Sequence, residues 1–350
     1  MQSISKSCTK ESCPKKTKKK MNKITKNDLL KLLDSLKNKN RLIAPVMAEK
    51  DIVFDYVNDV KDVVLDFTNT VKPAKEFFIP QREDILEFNN GKIKAIFSDE
   101  KRVFFGIRPC DLKGLCVMDP TFKEGIEDPH YFEKRKNTVI IALACINLCD
   151  ENAFCESAKA GPVADGCFDL QLIPLGKNEY FVESGSKAGA DVISKNKPLF
   201  KKAGKSDIKN LEEIKNKKIN KKKVDLDLFL EKLKGRFNNN AYWKEVSLTC
   251  LRCGACNYLC PSCFCNNMVD NTSKRYRCWD SCMFRGFTRQ AANLIPRDEL
   301  YTRFRQRLYH KYKWHKERYG MHMCTGCGRC VTYCPGLIPY IDIINKVSEE

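Results

Sequence analysis

Apolar and polar positions divide this 350-residue chain into two unlike halves. In the first half the apolar residues come in short blocks. Arg102–Ile107 (RVFFGI) and Thr138–Ala144 (TVIIALA) are apolar runs bounded by charges or turns, the pattern of strands buried on both faces. Residues 41–57 (RLIAPVMAEKDIVFDYV) predict a hairpin, and Val63–Phe67 and Lys92–Phe97 predict further strands. Asn27–Leu36 has helical apolar spacing behind a capping residue. In the second half the spacing becomes helical. Val224–Phe237 and Asp298–Tyr319 predict helices, and Ile341–Val347 predicts a short closing one. Between residues 266 and 297 no clear strand alternation is visible.

Composition changes this picture at one point. Hydrophobic content is an ordinary 43%, but 20 of the residues are cysteine. The longest apolar stretch, Val139–Ile146, is far too short to cross a bilayer, and the start of the chain has lysines but no apolar signal core. A cytoplasmic protein without a membrane segment is expected. There, many cysteines mean metal or redox chemistry rather than disulfides.

The net charge of +19 comes from a lysine-rich start, a lysine-rich stretch at 195–223 and the segment Lys274–Arg318. Solvated segments and one basic helical face account for most of it. Docking of an acidic redox partner is the sharper reading, with Arg303, Arg305 and Arg307 as candidate contacts. The lysine runs lack interleaved aromatics while residues 302–319 (TRFRQRLYHKYKWHKERY) have them, so nucleic acid stands as the rival and not as the expected partner.

Two cysteine runs carry the chemistry. They are Cys250-x2-Cys253-x2-Cys256-x3-Cys260-Pro261 and Cys324-x2-Cys327-x2-Cys330-x3-Cys334-Pro335. This spacing holds a pair of [4Fe–4S] clusters, the fourth cysteine of each run serving the other cluster. Cys250, Cys253, Cys256 and Cys334 form one expected set; Cys260, Cys324, Cys327 and Cys330 form the other. Four thiolates also suit zinc, and a zinc-stabilised nucleic-acid-binding module is the rival reading. Cys263, Cys265, Cys278 and Cys282 lie close by; of these, Cys263, Cys265 and Cys282 are candidate extra ligands, or buried structural thiols. Cys110, Cys145, Cys149 and Cys155 are candidates for a third cluster, with Cys116 and Cys167 as substitutes, although their spacing is no standard run. His322 stands where it could tune a cluster by hydrogen bonding. The chain has no dinucleotide fingerprint, no phosphate loop and no H-E-x-x-H.

The expected fold class is therefore α+β, an N-terminal α/β-type domain followed by a mostly helical dicluster ferredoxin-like domain. Residues 1–22 are expected to be a disordered basic tail, 23–185 the first domain, 186–240 a lysine-rich linker and helix, and 241–350 the two-cluster domain.

The strings FGIRPCDLKGL (105–115), DPHYFEKR (128–135), CLRCGACNYLCPSCFC (250–265), RCWDSC (277–282), HKYKWHKERYG (310–320) and CTGCGRCVTYCP (324–335) follow one another in this order. In them the chain resembles a family of iron–sulfur electron-transfer subunits. That family includes the β subunits of cytosolic [NiFe] hydrogenases (sulfhydrogenases) and the corresponding iron–sulfur subunits of anaerobic sulfite reductases. The resemblance implies an electron carrier with two partners. One is a hydrogenase or sulfite reductase catalytic subunit, and the other is a flavin-containing NAD(P)H-linked subunit. It is closer to the hydrogenase type around Gly106–Asp111. Cys110, Cys145 and Cys155 match cysteines of the family. Ala153 stands where the family usually has another, so either Cys149 replaces that ligand or the site is altered or lost.

Overall fold

The computed structural model describes residues 21–176 and 178–350. Eight strands form a large sheet: β1 (Asn22–Thr25), β2 (Arg41–Ala48), β3 (Asp51–Val57), β6 (Arg102–Ile107), β7 (Thr138–Leu143), β8 (Leu170–Pro174), β9 (Glu179–Ser184) and β10 (Lys201–Lys202). Their order across the sheet is β10-β1-β9-β8-β7-β6-β2-β3. The central pairs β2/β6, β6/β7 and β7/β8 are parallel. Parallel strands covered on both faces read as unbroken apolar runs, and every residue of β6 is buried. Val103 and Phe105 face a core shared with α1 (Lys26–Lys37). Phe104 and Ile107 face the opposite core, with Leu112 and Leu115 of α2 (Pro109–Lys123) and Tyr131 of α3 (Pro129–Lys136).

The 186–240 segment contains α4 (Lys187–Lys195), α5 (Lys205–Asn216) and α6 (Leu226–Leu233). The helical half follows with α7 (Asn240–Val246), α8 (Ala255–Tyr258), α9 (Leu300–Tyr309), α10 (His315–Tyr319), α11 (Arg329–Thr332) and α12 (Tyr340–Glu349). A π-helical turn, His310–Trp314, joins α9 to α10 without a break. Phe229, Trp243, Phe304, Leu308, Tyr309 and Ile344 form the core of this half.

The structure departs from the sequence-based expectations in three places. Val63, Leu65 and Phe67 are buried alternately, as in a strand, but no strand forms there. Alternation reports which side chains face the core, not whether the backbone has a ladder partner. The stretch between the cysteine runs holds a hairpin, β11 (Asn266–Asp270) and β12 (Lys274–Trp279). Its residues are mostly half-exposed, so no apolar period marks it. This hairpin joins β4 (Arg82–Asn89) and β5 (Lys92–Ala95) in a second sheet of order β11-β12-β4-β5. The two halves of the chain thus share a sheet. Third, Cys116 and Cys167 pair as a disulfide, with Cα atoms 6.1 Å apart, against the expectation of free thiols. Neither remains as a substitute ligand. Cys8 and Cys13 lie outside the described residues, and Asn22 begins a strand.

Candidate iron–sulfur sites

Both cysteine runs fold alike. Each loop turns at a left-handed glycine, Gly254 (φ +77°) or Gly328 (φ +83°), into a short helix, α8 or α11. Only glycine adopts this backbone without strain. Space demands it too: a Cβ on Gly254 would meet the Phe284 ring at 2.9 Å. Backbone N–H groups reach the sulfurs, from Gly326 to Cys324 Sγ and from Ile338 to Cys334 Sγ, both at 3.4 Å.

Electrostatic influences run between the two cysteine runs. Cys250 lies within electrostatic reach of Cys334 and Cys253, and Cys256 within reach of Cys250. Cys330 is influenced by Cys324, Cys327 and Cys260, and Cys327 by Cys260. Cys334 thus lies within reach of the first run, and Cys260 within reach of Cys327 and Cys330 of the second. Burial pushes Cys330 well up and Cys327 up to about 11, so without metal these thiols hold their protons. Metal binding would displace them. Cys253 is exposed, so one group reaches the surface while the other lies inside.

A third group forms at the strand ends of the large sheet, where ligands of α/β proteins commonly sit. Gly106, at φ +85°, marks a register shift at the end of β6, and two residues later the chain turns into α2 with Cys110 in its first turn. Cys145 follows β7. Cys110 is influenced by Cys149 and by Cys327 of the second group, and Cys155 by Cys145 and Cys149. Burial, then Cys145, pushes Cys149 and Cys155 up to about 12. Cys149 thus lies within reach of Cys110, Cys145 and Cys155, while Ala153 packs against Gly328. Asn220 of the lysine-rich segment reaches the Cys155 thiol at 3.4 Å. A cleft of about 590 Å³, lined in part by Cys145, Arg108 and Tyr180, opens beside this group.

The loops interlock. Phe154 N–H donates to the Gly326 carbonyl at 2.8 Å, and a Cβ on Gly326 would meet the Phe154 oxygen at 2.6 Å. Arg329, between Cys327 and Cys330, forms a fully buried ion pair with Asp111, beside Cys110. It also donates to the Thr70 carbonyl at 2.9 Å.

Cys263, Cys265 and Cys282 gather next to Cys260. Cys263 lies within reach of Cys260, and Cys282 within reach of Cys265. Cys278 lies in β12 opposite Asn267 and Arg82. The cations gathered here were not expected from composition or motif. Lys311 Nζ lies 3.1 Å from Cys260 Sγ and 3.7 Å from Cys263 Sγ, and Arg307 Nη1 lies 3.5 Å from Cys263 Sγ. Lys75 donates to the carbonyls of Cys263 and Asn257 at 2.7 and 2.8 Å. Arg307 and Lys311 are four apart on one helical face, a spacing that is visible in the sequence. Burial alone would lower Lys311, but negative charge on the neighbouring sulfurs, Cys260 first, holds it above its ordinary value.

The docking reading of the basic face fails at two of its three arginines, and His322 has the ordinary packing role rather than a cluster-tuning one. Arg303 and Arg307 are 1% and 2% exposed, so neither can meet a partner. Arg303 donates instead to the carbonyls of Met283, Arg297 and Asp298. His322 bonds the Tyr312 carbonyl and Asp227, which leaves no ring nitrogen for a sulfur.

This donor set fits iron–sulfur cubes: grouped thiols, N–H groups at sulfur and glycine turns with no room for a side chain. Among the described residues, no three His, Cys, Asp or Glu side chains close around a single-ion position. Among them, too, no helix is long and apolar enough to cross a membrane.

Comparison with known proteins agrees. Residues 249–338 match the family of 4Fe-4S dicluster domains. Sulfhydrogenase 2 subunit beta of Pyrococcus furiosus is 30% identical over 321 residues, which cover 90% of this chain and 94% of that protein. The chain belongs to the iron–sulfur subunit family that includes the sulfhydrogenase β subunits.

Proposed function

We propose that this subunit relays single electrons between the catalytic subunit of a cytoplasmic [NiFe] hydrogenase complex and a flavin-containing NAD(P)H-linked subunit. One observation carries the reading. The thiol groups follow one another from exposed Cys253 through the buried Cys260/Cys327 group to Cys110 and Cys145 beside the cleft. Bound [4Fe–4S] clusters supply one-electron redox chemistry. Cys250, Cys253, Cys256 and Cys334 hold the outer one, and Cys260, Cys324, Cys327 and Cys330 the inner one. Cys110, Cys145, Cys149 and Cys155 hold a third. The Arg329–Asp111 pair fixes the inner loop against α2, so the second and third sites keep one spacing. The name of the relative supports a hydrogenase partner.

The exposed end is the natural docking point. Leu251 and Leu337 are 64% and 82% exposed there, and a Cβ on Gly336 would meet Thr249 O at 2.3 Å, so their loops touch. The lack of a nucleotide fingerprint leaves hydride chemistry to a flavin, which splits a two-electron donor into single electrons. Stopped-flow reduction by NADH or NADPH tests this. The clusters of the isolated chain should stay oxidised and become reduced only when a flavin subunit is added. Rapid reduction of the flavin-free chain would overturn the relay.

A further inference from the structure

Lys75, Arg307 and Lys311 are 3%, 2% and 4% exposed and converge on one small region. Among the described residues, their hydrogen bonds go to backbone carbonyls, Asn257, Ser262 and thiol sulfurs, and to no carboxylate. Taking a cation out of water costs several kcal/mol, even after relaxation, unless an anion stands beside it. Lys75 also lies 4.6 Å from the centre of the Trp279 ring, which answers part of one charge. Arg307 Nε is buried with no partner at all. Buried donors are seldom left so, and an orphan marks a missing acceptor.

The two ferredoxin-type groups answer part of this charge: Cys260 accepts from Lys311, and Cys256 and Cys330 lie within reach of Arg307. Arg307 and Lys311 also face Cys263, and the Asn257 amide donates to Cys282 at 3.2 Å and to Cys265 at 3.5 Å. Cys282 in turn lies within reach of Cys256 of the outer group. Three thiols outside both ferredoxin-type sets thus bridge the space between them, ringed by donors and cations. Thiolates on a metal here would set negative charge directly against Lys311 and Arg307.

We infer that Cys263, Cys265 and Cys282 are ligands of an additional iron–sulfur centre between the two ferredoxin-type sites, its negative charge balanced by Lys75, Arg307 and Lys311. Lys311 sits in the π-helical turn, a local irregularity of the kind found at functional sites. There it reaches both Cys260 and Cys263. The centre rests on the relay reading for its role but not for its existence.

The test compares anaerobically purified full chain with its Cys265→Ser/Cys282→Ser variant, which keeps side-chain volume. Iron and sulfide analysis should show a loss of about four irons in the variant, the content of one cube. EPR should still show both ferredoxin-type signals. Unchanged iron with those signals intact overturns the inference. If the double variant fails to fold, Cys263→Ser is read in the same way. As an independent measure, Mössbauer spectra of the wild type should contain one more cluster component than the ferredoxin-type and N-terminal sites supply, and its absence also overturns the inference. Failure of the relay reading would look different: the wild type itself would lack the two ferredoxin-type signals.

Discussion

Arg329 and Asp111 meet as a buried ion pair, 1% and 0% exposed, that ties the loop of the inner cluster site to the helix carrying Cys110. Asp111 also accepts from the Ala74 N–H at 3.2 Å. Removing one member of such a pair strands a charge. Asp111→Asn should destabilise the holoprotein by about 3–5 kcal/mol. Replacing both partners, Asp111→Leu with Arg329→Met, should cost less than the sum of the single changes. Anaerobic urea unfolding of the four proteins in a double-mutant cycle checks this, and additive losses would count against coupling.

The crossed grouping gives a spectroscopic prediction. Cys260→Ala should abolish the signal of the site containing Cys324, Cys327 and Cys330. Cys334→Ala should abolish that of the site containing Cys250, Cys253 and Cys256. EPR of the dithionite-reduced variants distinguishes this from damage within each run.

Lys311 places a positive charge 3.1 Å from Cys260 Sγ. Reduction adds negative charge to the cluster, so this cation favours the reduced state. Lys311→Met should make the inner site's potential more negative by on the order of 60 mV, the shift for a tenfold change in a one-electron equilibrium. A redox titration followed by EPR measures it, and the outer site serves as the internal reference.

Gly114 lies within α2, where alanine would ordinarily gain about 1 kcal/mol in helix propensity. Here a Cβ would meet the Pro261 carbonyl oxygen at 2.6 Å. Overpacking costs about 1–3 kcal/mol, so the clash outweighs the propensity. Gly114→Ala should lower the thermal midpoint measured anaerobically by circular dichroism.

What was legible in the sequence follows from which contacts are local. The buried strands at 102–107 and 138–143 announced themselves because parallel strands covered on both faces are apolar throughout. The dicluster domain was legible because the turns of its two cysteine runs are set by spacing alone. The β11–β12 hairpin was not. It is half-exposed, and its partner β4 comes from the far end of the chain. Arg303 and Arg307 looked like surface charge because composition cannot tell a solvated cation from one facing carbonyls or sulfur. The grouping of Cys149 with Cys110, Cys145 and Cys155 depended on a loop whose course no local period describes.

The small sheet bears on how the chain comes to be built. Strand β4 pairs with β12, more than half the chain later in sequence. Until that hairpin emerges from the ribosome, β4–β5 is a two-stranded ribbon with an open edge, a form only marginally stable alone. Neither crossed thiol set is complete until Cys324–Cys334 has been made. Non-local pairing of this kind is slow. Synthesis therefore passes through a stage in which the first cysteine run is made and its proposed partners in the second are not, so iron and sulfide delivered after Cys334 has been made would find both proposed sets whole.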